Sequence, residues 1–344
     1  MDTDNTQVLA VLDRETQGPW ECEYSYGGEA DLYRHYDSCK KNPGHKNFIP
    51  VDKFSIEDLP EDYHDKDILA YIRAVSDLTV RVTVKYVSDK RPSTVPGSLM
   101  PYPGYMDKGR RRVTVGTGWV NSVSLWDNSS CTTCLCKDCQ NSSTPEMSFA
   151  MISITTSAHM VYDELEGEHT TCHLFFDRGS TPETSSGVVT LTVMSNVNTQ
   201  IPNDWCDMKH FTHDLGLAHR LDESLRHACN LKDMIFVKTL TLNKTKQREN
   251  LPDKQPLLII VSHPHGCSKQ ISLGHWRSIE VDRETSTVSL MYTTPTCPGS
   301  SGALVCMPQA FASPDADLAF FTFRAVHCGT SELAPGVNFC RADQ

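Results

Sequence analysis

The strongest constraint on the fold is a train of short runs with period-two hydrophobicity, beginning at Leu78–Val87 (LTVRVTVKYV). Alternating apolar and polar side chains put one face of an extended chain against a core and the other in water. Further strand-like runs follow at Arg112–Val120, Glu146–Thr155, Gly187–Met194, Leu257–Val261, Thr287–Tyr292 and Leu318–Val326, with turn residues between them. Many short strands with little helix imply an antiparallel barrel or sandwich. One helical stretch, about His213–Cys229, carries Leu215, Leu217, Leu221 and Leu225 as apolar markers. It divides the strand-rich region near its middle, so two β-barrels joined by a helical linker are expected. Residues 1–66 are polar and mixed. Ile56–Ala74 is partly helical in pattern, with Ile68, Leu69, Ile72 and Ala74 on one stripe.

Composition narrows the partners. A net charge of −11 argues against nucleic acid. The one basic run, residues 108–112 (KGRRR), reads as a solvated loop or a site nicked by trypsin-like enzymes. No apolar run reaches the roughly 18 residues of a membrane span, so no membrane is expected as a partner. The acidic, polar N-terminus lacks the pattern of a signal peptide. A cytoplasmic or otherwise intracellular setting is therefore expected, with thiols rather than disulfides among the 14 cysteines. Cys22, His35, Cys39 and His45 could form a zinc set, although their spacing follows no established pattern. The oligomeric state is not legible.

Chemistry concentrates in Thr294–Val305 (TPTCPGSSGALV). Small turn-forming residues around Ser301 present one hydroxyl beside backbone N–H groups, where an oxyanion would form in acyl transfer. Such a serine needs a base and a group that orients the base. His159 follows a β-branched run that ends in small residues (ISITTSAH), as at the rim of a barrel. Val113–Val120 (VTVGTGWV) carries glycines that allow close strand approach.

Together, GTGWV, TSAH ending at His159, and CPGSSGAL around Ser301 resemble the chymotrypsin-like (trypsin-like) serine peptidase family, in the family's order. Val261–Gly266 (VSHPHG) with Ile271–Gly274 is similar to the opening of the family's second barrel. The resemblance covers roughly residues 75–342. It implies an all-β fold of two six-stranded antiparallel β-barrels of chymotrypsin type, with a helical linker and a mixed N-terminal extension. Residues 1–66 would be an extension of unassigned role and 67–344 the peptidase domain. Within that domain the first barrel would span about 75–212, the linker about 213–230 and the second barrel about 231–342.

By the same resemblance, His159, an acid and Ser301 form the catalytic triad, and the N–H groups of Gly299 and Ser301 form the oxyanion hole. Asp204 fits the acid position better than Asp207, which precedes Met208-Lys209 rather than a small residue. Ser300 stands where digestive members have Asp, so activation by a newly cut N-terminus is not expected. Met160 replaces the cysteine beside the histidine, while Cys297 and Cys328 fall where the family often places a bridge. Pro295 occupies the position of the trypsin Asp. Thr296 with His327 is similar to the pocket of glutamyl endopeptidases and picornaviral main proteases. The implied activity is a serine endopeptidase acting on peptide or protein substrates after Glu or Gln. A protease-like binding or scaffold module without activity is the alternative. No cofactor is required. Cys131, Cys134, Cys136 and Cys139 in one loop could hold a structural zinc or form disulfides.

Overall fold

A computed structural model describes residues 19–127, 129, 132–248, 256–282, 287–308 and 325–342. The expected strand over Leu318–Val326 falls mostly outside these residues, and Cys131 lies outside them.

Among the described residues the chain forms two curled antiparallel sheets. The first is eight-stranded and contains β1 (Glu23–Ser25), β3 (Thr79–Val84), β4 (Val113–Trp126), β5 (Phe149–Ser157), β6 (Thr170–Leu174), β7 (Val189–Thr192), β8 (Ser195–Gln200) and β9 (Trp205–Thr212). The second is seven-stranded and contains β2 (Ile49–Pro50), β10 (Leu257–Ser262), β11 (Gln270–Asp282), β12 (Thr287–Tyr292), β13 (Val305–Cys306), β14 (Ala325–Thr330) and β15 (Asn338–Ala342). This is the two-barrel, chymotrypsin-like architecture. The N-terminal extension adds one strand to each sheet, which leaves six strands of the second sheet and seven of the first outside the extension. β1 pairs with β4, and β2 with β11.

The polar face of β3 is not solvated as its alternation implied. All six residues are buried, Arg81 among them. Helix α1 (Glu29–Asp37) of the extension supplies the reason: Arg81 donates to Glu29 Oε1 at 2.8 Å. Helix α2 (Lys66–Leu78) is capped by Asp65, whose carboxylate accepts from the Asp67 N–H. Helix α3 runs from Leu215 to Arg248, well past the expected end near Cys229. Asp214 caps its start through the Leu217 N–H at 2.9 Å, and Leu231 and Ile235 continue the apolar stripe of Leu217 and Leu221. The helix therefore occupies positions expected for the start of the second barrel, and β10 begins only at Leu257. The stripes of α2 and α3 share one core with β3, β5 and β10.

Arg112 also departs from expectation. It is buried, pairs with Asp107 at 2.6 Å and lies over the Tyr24 ring. Arg110 in the same run is exposed.

Candidate active site

His159 sits one turn beyond β5, fully buried at the junction of the sheets. Asp204 faces it from the turn before β9, held in the left-handed region at φ 51°. Its Oδ2 lies 2.7 Å from His159 Nδ1, and its Oδ1 accepts the His159 backbone N–H at 3.0 Å. Gripping ring and backbone together fixes the imidazole's orientation. Asp207 points elsewhere, accepting from Asn121, Thr155 and the Trp205 indole. Behind His159, buried Arg91 donates to the His159 carbonyl at 2.9 Å and is itself held by both oxygens of Glu166, at 2.6 and 2.7 Å. Burial works against a charged His159. The Asp204 carboxylate and the Cys22 sulfur beside it outweigh that effect, and the imidazole is pushed up from 6.5 to about 10.

The 297–302 turn brings Ser301 to the same junction. Gly299 has φ 96°, and a Cβ there would lie 2.6 Å from the His263 carbonyl and 2.7 Å from the His265 nitrogen. Only glycine fits. Thr117, in the GTGWV run of β4, anchors the turn across the interface. Its hydroxyl donates to the Gly299 carbonyl and its N–H to the Ser301 carbonyl, both at 2.8 Å. Ser300 Oγ lies 3.1 Å from Ser262 Oγ, so this position is tied inside the second barrel.

The cleft is occupied by the chain's own residues 19–25. Thr330 N–H donates to the Pro19 carbonyl at 2.8 Å, and Glu21 N–H to the Cys328 carbonyl at 3.4 Å. Trp20 bridges to Gly329, and its ring centroid lies 5.1 Å from that of His159. The Glu21 carbonyl accepts from Gly299 N–H at 3.2 Å and from the Ser301 hydroxyl at 2.9 Å. The Cys22 thiol lies within hydrogen-bonding reach of the His159 ring. Beyond it the segment continues as β1 on β4.

The Glu21 side chain enters a buried pocket. One carboxylate oxygen meets His327 Nε2 at 2.7 Å. The other pairs with Lys41 and accepts from the Thr330 hydroxyl at 3.1 Å. Tyr292 OH lies 2.6 Å from His327 Nδ1. Burial, with Lys41 nearby, keeps His327 below the ordinary imidazole value despite Glu21. Burial likewise holds the Tyr292 phenol well above its usual value. A protonated phenol can therefore donate to Nδ1, leaving Nε2–H for the carboxylate. Burial alone would raise the Glu21 carboxyl; Lys41 and His327 instead hold it far below its usual range. Thr296 does not bond the carboxylate directly as expected. Its hydroxyl accepts from Lys41 Nζ at 3.0 Å, so it orients the cation. Lys41 and Thr330 carry no sequence signal: Lys41 lies outside the resemblance, and Thr330 lies beyond the AVHCG run.

Cysteines also gather differently from expectation. Cys297 lies 3.6 Å from Cys39 rather than beside Cys328, whose thiol donates to the Val326 carbonyl. Of the proposed set in the extension, Cys39 and His45 converge with His265 and Cys297. Cys22 lines the cleft, and His35 bonds Glu23 at 2.7 Å. In the loop cluster, Cys134, Cys136 and Cys139 converge with His213, which spacing alone could not bring in.

No protein-family profile and no curated protein sequence matches the chain. Among solved structures, the active form of the Rv3671c protease from M. tuberculosis aligns over 81% of this chain and 82% of its own, with 11% identity and a TM-score of 0.38. A serine endoprotease from Yersinia pestis aligns over 79% of this chain and 60% of its own, with 11% identity and a TM-score of 0.34. An HtrA-type protease, AlgW, bound to a tripeptide aligns over 79% and 58%, with 9% identity and a TM-score of 0.38.

Proposed function

We propose that this chain is a serine endopeptidase that cleaves after glutamate. Ser301 attacks the scissile carbonyl, His159 takes its proton and returns it to the leaving amine, and Asp204 holds the imidazole and stabilises its cation. Gly299 and Ser301 N–H groups stabilise the oxyanion. The observation that carries the reading is the seat of Glu21, with its carbonyl on the Gly299 N–H and the Ser301 hydroxyl and its carboxylate on His327. Lys41 beside that carboxylate favours Glu over neutral Gln.

The test uses Glu21→Ala, which removes the side chain that anchors the occupying segment. A fluorophosphonate probe should label this protein and leave Glu21→Ala/Ser301→Ala unlabelled. Equal labelling of the two, or none of either, contradicts the proposal and favours a binding module.

A further inference from the structure

We propose that the chain is its own first substrate: Ser301 cleaves the Glu21–Cys22 peptide bond of the same molecule, an inference that rests on the peptidase reading above. The segment crosses the whole site in extended form. Its pairing with β14 precedes the bond and its pairing with β4 follows it. The Ser301 hydroxyl lies on the carbonyl side of the junction and His159 beside the Cys22 side chain. The connection is intramolecular, because β1 leads into α1, where Glu29 holds buried Arg81. Burying a carboxylate is strongly unfavourable unless it is paired. Glu21 meets Lys41, Thr330 and His327 at once, a seat built for glutamate.

In the reaction, which runs from the neutral form of His159, the Ser301 Oγ–C bond forms as the oxygen's proton passes to the imidazole. The Glu21 C–N bond breaks, and His159 delivers that proton to the Cys22 nitrogen. Water then attacks the Glu21 ester, giving its proton to His159 and on to the Ser301 oxygen. The products are a Glu21 carboxylate and a new amino terminus at Cys22.

N-terminal sequencing and intact mass of purified full-length protein test the proposal. Wild type should yield the terminus Cys22-Glu23-Tyr24, at a first-order rate unchanged by tenfold dilution, and Ser301→Ala and Glu21→Ala should stay intact. A synthetic peptide spanning residues 16–26, supplied to Glu21→Ala, separates the two claims. If the peptide is cut after Glu21 while wild type stays intact, self-cleavage is overturned and the peptidase reading survives. If neither is cut, both fall. A terminus at Cys22 in Ser301→Ala also overturns the proposal.

A separate observation carries a second inference. We infer that Cys39, His45, His265 and Cys297 hold a zinc ion that ties the extension to the second barrel. Their ligand atoms all lie within 4.8 Å of one another. Cys39 Sγ is 3.6 Å from Cys297 Sγ, which is 3.5 Å from His45 Nε2. Tetrahedral zinc with sulfur and nitrogen ligands sets neighbouring donors about 3.3–3.8 Å apart. The buried His265 side chain engages the Cys39 sulfur, while its Nδ1 lies 2.5 Å from Glu23 Oε2. A ligating histidine commonly engages a carboxylate through its other nitrogen.

Metal content of protein purified without chelators tests the site. Wild type should hold one zinc more than Cys39→Ser/His45→Gln, whatever the Cys134 cluster binds. Equal zinc in the two proteins overturns the inference. Cobalt(II) added to metal-free Cys134→Ser should give a tetrahedral spectrum with sulfur-to-metal charge transfer, and an octahedral spectrum overturns it even if the double variant fails to fold.

Discussion

A buried carboxylate needs a counter-charge, and Lys41 supplies it for Glu21. A charged hydrogen bond is worth about 1.5–3 kcal/mol, or roughly 10–100-fold. Lys41→Met in the Glu21→Ala protein should therefore lower kcat/KM for a Glu peptide by about that factor and for its Gln twin far less, read from matched peptides. The same site predicts a pH signature. The folded His159 value of about 10 lies above the ordinary 6.5, so stabilisation by its cation is full below about 6.5 and is lost as pH rises toward about 10. The melting-temperature gap between Ser301→Ala and Ser301→Ala/His159→Gln, both with the segment seated, should shrink across that window; a constant gap contradicts the assignment. Much of this site was legible because Ser301, Gly299, His159 and His327 stand in short runs whose order carries information. Lys41 and the Arg91–Glu166 pair were not, because tertiary folding alone brings them to the site.

Among the elements, the 297–302 turn depends on β4 of the other sheet. Thr117 holds it through side chain and backbone at once. Thr117→Val keeps the branched shape but strands the Gly299 carbonyl, at a cost of about 1–3 kcal/mol. Thermal unfolding should register that loss, with kcat falling more than KM rises. Gly299→Ala forces a side chain at φ 96° against the His263 carbonyl. With its N–H displaced, kcat should fall by about 10²–10³, the cost of a lost oxyanion donor. Strand periodicity revealed most core strands, yet it misread the outer face of β3, because a helix more than forty positions earlier covers that face. Helix α3 was found but cut short, since its later turns keep the stripe with fewer leucines.

At the scale of the molecule, the extension is built into the two-sheet fold. It lends a strand to each sheet, a lysine to the pocket and two ligands to the candidate metal cluster. It also fills the cleft and seats its own Glu21 in the pocket. Residues 1–66 showed polar, mixed composition, which could not reveal partners supplied by distant strands. The most direct measurement is digestion of an unbiased peptide library by Glu21→Ala protein, with Glu21→Ala/Ser301→Ala as control. Cleavage concentrated after glutamate and absent from the control is the predicted result. Cleavage mainly after basic or aromatic residues, or cleavage that persists without Ser301, would contradict it.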